Sequence, residues 1–256
     1  MIVAIDINCD MGESFGRYKL GGDEAIMPHI TSANIACGVC AGDPLVMSAA
    51  VRCASAHGVS IGAHPGFPDL QGFGRREMNL TPEEIEAFVI FQIGALAGFV
   101  RSAGAELAHV KPHGALYNMA ARDWNMARAI ARAVAGFSKG LVFVGLSGSV
   151  MIEAGVEAGL RVAREAFADR AYNADGSLRS RRLPGAVLDS PQDAAAQALR
   201  IARDGVVIAH DGEVVSMAAD TLCIHGDTPS ALGIVQAVRH ALDDAGIEVL
   251  PMGRFV

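Results

Sequence analysis

The side chains in this chain that could do chemistry fall at the ends of apolar runs. "IVAIDINCDMGESFG" (2–16) passes from a hydrophobic strand into Asp6, Asn8, Asp10 and Glu13, and "GVSIGAHPG" ends on His64. "HVKPHGALYN" carries Lys111, His113 and Tyr117. "REAFADRAY" carries Glu165, Asp169, Arg170 and Tyr172, and "CIHGD" carries His225 and Asp227. An Asp with two His is a ligand set for a divalent metal that activates water. Asp10, His64 and His113 are the metal candidates. The same groups beside Lys111 could instead act as general base, acid and electrophile without a metal. Asp6, Asp10, Glu13, Glu165 and Asp169 would repel one another, so Lys111, Arg170 or a metal must neutralise some of them.

Anion-binding candidates lie elsewhere. Arg75 and Arg76 sit in the glycine-rich "GFGRRE", suited to a phosphate or carboxylate. Ser147 and Gly148 in "VGLSGSV" stand at a strand–helix turn where backbone N–H groups could meet phosphate, although the P-loop lysine pattern is absent. "DGSLRSRR" adds Arg181 in a run that reads equally as a solvated face.

Each of these residues has a plainer reading. An Asp or Asn after a strand is often only a turn former or helix cap, and Asp10 or Asp227 alone would be read that way. Lys111 at the end of an apolar strand is harder to set aside, because buried lysines are rare without a partner. Five strands repeating one pattern favour the functional reading. Cys37 and Cys40 in "ACGVC" have the C-x-x-C spacing of a thiol oxidoreductase, but no thioredoxin-like order of elements surrounds them.

The elements that must position these groups alternate. Short β-rich runs cover Ile2–Asn8, Ala33–Cys37, Val59–His64, Leu107–Lys111, Leu141–Gly145 and Leu160–Ala166, and a last strand lies in "TLCIHGD". Helices are expected from Asp43-Pro44 to about His57, from the Thr81–Glu84 capping box to about Ala103, and from Asp123 to Ala135, ending at Gly136. Two more run from Ser190-Pro191 to Arg203 and from Thr228-Pro229 to Ala245. "VVIAHDGEVVSM" reads as a small hairpin. Strand–helix alternation calls for parallel strands covered by helices, and such sheets carry their sites at the C-terminal strand ends. Side chains alternate along a strand, so Asp6, Asn8 and Asp10 share one face. The expected architecture is one α/β domain over 1–256, with the groups above on one rim.

Composition agrees. Of 256 residues 51% are hydrophobic, which supports a filled core, and the net charge of −7 makes nucleic acid and anionic membranes poor partners. The Met1 end lacks the pattern of a secretory signal, and five cysteines do not suggest a disulfide framework, so the cytoplasm is the expected compartment. The apolar stretch 85–100 carries Glu86 and Gln92 and reads as a core-facing helix.

The stretches "DINCDMGESFGRY", "SANIACG" with "AGDP", "IGAHPGFPDLQGFGRREM", "HVKPHGALYN", "EAFADRAYNADGSL" and "CIHGDTP" resemble the LamB/YcsF family over nearly the whole chain. The resemblance implies a seven-stranded (β/α) barrel of the deacetylase-like superfamily. It also implies a hydrolase acting on a cyclic amide: the A subunit of 5-oxoprolinase, also described as a lactam-utilisation protein. That enzyme opens 5-oxoproline to L-glutamate with ATP and partner subunits B and C. ATP, with Mg²⁺ or a metal at the rim, is the implied cofactor. Carried over by motif, the site comprises Asp6, Asn8, Asp10, Glu13, His64, Arg75, Lys111, His113, Tyr117, Glu165, Asp169, Arg170 and His225. One departure stands out: Val39-Cys40 occupies the place where the family usually reads Phe-His. The alternatives are a stand-alone metal-dependent deacetylase-like hydrolase and a non-catalytic lactam-binding subunit. Oligomeric state is left open.

Overall fold

In a computed structural model of the chain, residues 4–226, 228 and 230–256 are described. The expected strand start at Ile2 and the readings that fall on Asp227 and Pro229 lie outside them. In chain order the elements are β1 (Ala4–Met11), α1 (Asp23–Ile26), β2 (Ser32–Ala36), α2 (Pro44–Ala56), β3 (Ser60–His64), α3 (Pro82–Ser102), β4 (Leu107–Val110), α4 (Gly114–Ala120) and α5 (Trp124–Phe137). There follow β5 (Val142–Leu146), α6 (Val150–Glu157), β6 (Arg161–Phe167), α7 (Pro191–Asp204), β7 (Val206–Ile208), β8 (Val214–Ser216), β9 (Thr221–Ile224), α8 (Ala231–Asp244) and β10 (Glu248–Val249).

Strands β1 to β6 pair in sequence order, β6 pairs with β9, and β9 returns to β1, all in parallel. The ring closes as a seven-stranded barrel, the expected architecture. The predicted hairpin is β7–β8, antiparallel and outside the barrel. β10 adds to the start of β1, and the C-terminal segment then crosses the barrel floor, where Met252 packs on Val142, Val144 and Ala163.

The caps form as the sequence predicts. Asp43 accepts from Leu45 N–H and Val46 N–H at the start of α2, with Pro44 at its first turn. Thr81 and Glu84 close a reciprocal capping box at α3. Gly205, with φ of 66°, ends α7 in the left-handed region that glycine enters without a Cβ clash. Two expectations change. Helix α5 runs through Gly136 to Phe137, because its buried face, ending on Ile130 and Val134, continues to pack where a glycine alone costs a helix only about 1 kcal/mol. The short helices α1, α4 and α6 were not predicted, since none spans enough turns to show a period. Helix α3 is long and apolar enough to cross a bilayer, yet it packs on β3 and α5 through Ile85, Val89, Ile93, Leu96 and Val100.

Two buried glutamines anchor the barrel's mouth. Gln92 of α3 both accepts from and donates to the backbone of Gly66, just past β3, at 2.9 Å each way. Gln197 of α7 donates to the carbonyls of Phe167, Ala168 and Arg170 as the chain leaves β6. Such contacts satisfy backbone groups that the loops would otherwise bury unpaired.

Inside the barrel, Gly62 of β3 leaves the space that the His109 imidazole fills; a Cβ there would overlap the ring. Gly62→Ala is expected to cost about 3 kcal/mol of unfolding free energy, as overpacking of a tight core does. Gly94→Ala on the exposed face of α3, where a Cβ meets nothing within 4 Å, should be neutral or slightly stabilising. Chemical denaturation of both variants checks this, and equal effects would refute the packing argument.

Candidate active site

The barrel interior is polar, and its groups stack in tiers from floor to mouth. At the floor, Asp6 accepts from Ser32 Oγ at 2.6 Å, Thr31 Oγ1 at 2.8 Å, the Met252 N–H at 3.2 Å and the Thr221 hydroxyl. It is completely buried. Above it, Asn8 donates to Thr221 Oγ1 at 2.7 Å and to Glu165 Oε1 at 3.0 Å. Asn34 donates to Asn8 Oδ1 and to Asp10 Oδ1, and its own oxygen meets His109 Nε2 at 2.8 Å.

Lys111 stands at the centre of the next tier. Its ammonium lies 2.8 Å from Glu165 Oε1, 2.9 Å from Asp10 Oδ1, 3.0 Å from Cys223 Sγ and 3.2 Å from Asn8 Oδ1. Burial by itself would push the lysine down, but Asp10, together with Glu165, holds it well above its ordinary value. In return, although burial pushes Asp10 up, His64 and Lys111 hold it well below the usual carboxylate range. The cluster therefore works as ions.

At the mouth, His64 Nε2 is 3.3 Å from Asp10 Oδ2 and 3.0 Å from His113 Nδ1, and the two imidazoles meet edge to face. Their outer nitrogens are fixed by backbone carbonyls: His64 Nδ1 donates to Lys111 O at 2.7 Å and His113 Nε2 to Phe73 O at 2.8 Å. Burial, with the charge of His64 behind it, pushes His113 down to about 3. Glu13 Oε1 approaches His113 Nδ1 to 3.6 Å. Opposite, Asp169 accepts from both the backbone N–H and Nδ1 of His225 at 2.9 Å, and the His225 ring stacks on Phe167. His225 and Asp10, with 11% and 12% of their side chains exposed, are the members of this cluster nearest to solvent. Two donor groups could hold a cation: Glu13, His64 and His113, and Asp10, Cys223 and His225.

The structure thus joins Asn8, Asp10, Glu13, His64, Lys111, His113, Glu165, Asp169 and His225. It corrects the placing of Asp6, which the sequence put at the strand exit: Asp6 lies on the barrel floor, because the strand runs on to Met11. Tyr117 is buried beside Glu165; burial and that carboxylate push its phenol well above its ordinary value, and neither its hydroxyl nor Glu165 Oε2 completes a hydrogen bond among the described residues. Several anion candidates are engaged elsewhere. Arg76 is held by Asp69. Arg170 donates to Ala186 O and Arg179 O within its own loop, and Tyr172 OH accepts the Phe167 N–H. Ser147 donates to Ala218 O, and at the adjacent Gly148 the turn continues into Ser149, whose hydroxyl accepts from the Met151 N–H. Arg181 is exposed, and Arg75 lies 4.8 Å over the Phe73 ring. Cys40, pushed up to about 12 by burial and then by Glu13, packs against Gly66, Gly74 and His113 as a neutral thiol, and Cys37 is likewise buried and free.

Asn34, His109, Ser32 and Thr221 complete the interior and were not singled out from the sequence. Their only signal was polarity on the inward face of a strand, which becomes visible once the ring's register is known.

A closed parallel barrel with an ionised, proton-competent cluster at the C-terminal strand ends is the build of a deacetylase-like hydrolase. The T48 deacetylase structure shares it, with a TM-score of 0.53 at 14% identity over 97% of this chain and 88% of that one, a likeness of fold alone. A sequence model of the LamB/YcsF family matches residues 5–256, and the chain belongs to that family. It is 58% identical to the A subunit of 5-oxoprolinase from Chloroflexus aggregans, over 97% of this chain and 98% of that one. It superposes on the lactam utilization protein from Thermus thermophilus with a TM-score of 0.92 at 52% identity, covering 97% and 99% of the two chains.

The floor carboxylate gives a pH signature. Burial raises Asp6 to about 6 from 3.8, against the opposing effect of its hydrogen bonds. A raised carboxyl favours folding while protonated, so its contribution is present below about pH 4 and is lost as pH rises through 6. The loss is about 3 kcal/mol by linkage. The unfolding free energy of the parent minus that of Asp6→Asn should therefore rise as pH falls from 7 to 4. A flat difference would show that Asp6 titrates alike folded and unfolded.

Proposed function

We propose that this chain is the A subunit of a cytoplasmic 5-oxoprolinase, which hydrolyses the lactam of 5-oxoproline to L-glutamate at the expense of ATP, together with subunits B and C. The observation that carries the reading is the Asp169–His225 pair facing Asp10 and Lys111 across the mouth, in a chain so similar to relatives bearing that name. The five free cysteines fit a reducing compartment.

A lactam is an unstrained amide and a poor electrophile. Transfer of a phosphoryl group from ATP to its carbonyl oxygen yields an imidate-like phosphate and ADP. Water then adds to the ring carbon, the C–N bond breaks as nitrogen takes a proton, and the acyl phosphate so formed is hydrolysed by a second water to glutamate and phosphate. We assign the phosphoryl transfer, with its Mg²⁺, to the partner subunits, since the Ser147–Ser149 turn spends its hydroxyls locally.

The chain's own residues handle the protons. With Nδ1–H given to Asp169, His225 presents Nε2 as a base for the attacking water, and the resulting imidazolium, stabilised by Asp169, returns the proton to the leaving nitrogen. Asp10, kept ionised by Lys111 and His64, orients the water. Lys111 supplies positive charge as the oxyanion develops. Arg75, at the rim, takes the substrate carboxylate or the phosphate.

The test is glutamate formation from 5-oxoproline and ATP by the chain reconstituted with subunits B and C. His225→Asn should lower kcat by about 10²- to 10⁴-fold with KM little changed. A variant as fast as the parent, or a reconstituted complex making no glutamate, would overturn the assignment.

A further inference from the structure

We infer that Asp10, Glu13, His64 and His113 form a four-coordinate site for a divalent cation of the zinc class, with Glu13 as the fourth ligand. The inference concerns the site used above but rests on no step of that reaction. A metal bound tetrahedrally at 2.0–2.1 Å from nitrogen and oxygen sets its donor atoms about 3.3 Å apart. The measured edges are 3.3 Å from Asp10 Oδ2 to His64 Nε2, 3.0 Å from His64 Nε2 to His113 Nδ1, and 3.6 Å from His113 Nδ1 to Glu13 Oε1. All four side chains are largely withdrawn from solvent.

The surroundings orient the donors inward. Ligating histidines generally give their other N–H to a carboxylate or carbonyl, which fixes the ring and its tautomer. Both do so here, on Lys111 O and Phe73 O, leaving His64 Nε2 and His113 Nδ1 turned towards each other. The second carbonyl is held at a cost. Phe73, at φ of 57°, is the one non-glycine with positive φ among the described residues, a conformation that costs about 1–2 kcal/mol. Its ring also packs edge-on against His113, and an added Cβ at Gly74 would strike the same imidazole. Strain placed beside a potential ligand is what a preformed site requires.

Asp10 is divided in keeping with this. Oδ1 receives Lys111 and Asn34, while Oδ2 turns towards the histidines. Two imidazoles with two carboxylates suit zinc or cobalt; magnesium and calcium favour all-oxygen shells with more ligands. The competing occupant of the space between the rings is a proton on His64 Nε2, shared by Asp10 and His113.

The test uses the full chain without substrate or partners, so it stands or falls independently of the lactam reaction. After chelation and dialysis, Co²⁺ is titrated in and visible d–d absorption recorded, with Zn²⁺ as competitor and stoichiometry measured by mass spectrometry. The expected result is one equivalent per chain with the intense bands of tetrahedral cobalt, displaced by zinc. Glu13→Gln and His113→Asn should each weaken binding by at least about 10-fold, and His225→Asn, in the neighbouring donor group, should leave it unchanged. Circular dichroism confirms that each variant is folded. Faint octahedral bands, no stoichiometric binding, or an equal loss in His225→Asn would overturn the site and leave the shared proton in its place.

Discussion

One buried ammonium makes the rest of this barrel workable. Lys111 sits within hydrogen-bond reach of two carboxylates, Asp10 and Glu165, in a compartment closed to water. Without its charge, burial would force one or both carboxyls to take up protons. The pair of carboxylates likewise keeps the lysine charged where isolation would strip it. Neither half is tolerable alone, which is the ordinary condition of buried ions: removing one partner costs more than the intact group gains.

Around that ion triad the barrel departs from the usual apolar filling. Parallel (β/α) barrels commonly pack their interior with layers of branched aliphatic side chains. Here Val142, Val144 and Ala163 fill one side near the floor, while Asp6, Asn8, Ser32, Asn34, His109, Glu165 and Thr221 fill the other. Each polar tier holds the next in place: Asp6 through Thr221 to Asn8, Asn8 to Glu165 and Lys111, and Asn34 to Asp10. Such a network is stable only when nearly complete. The orphaned atoms are few among the described residues: His109 Nδ1, Tyr117 OH and Glu165 Oε2.

The mouth is shaped by backbone as much as by side chains. The carbonyls of Lys111 and Phe73 select the histidine tautomers, and buried glutamines from α3 and α7 fix the chain where β3 and β6 end. These supports are distant in sequence from the groups they orient and have no motif of their own. Gln92 showed only as a polar residue interrupting an apolar helix. Cys40, which the family's motif made conspicuous, turns out to pack beside His113 as a neutral thiol.

What the sequence alone determined was the order and type of the longer elements, the parallel barrel, and the polar ends of its strands. Those follow from local physics: hydrophobic period, capping residues and side-chain alternation act over a few neighbours. Only the tertiary structure decided depth and partnership. Asp6 and Asp10 share one face of one strand, yet one lies on the floor and the other at the mouth. Arg76 and Arg170 looked like anion ligands but are spent on Asp69 and on loop carbonyls. Strand stagger and loop closure set those distances, and they arise from the closing of the ring, a constraint that couples residues at opposite ends of the chain, as the Asp6–Thr221 pairing does.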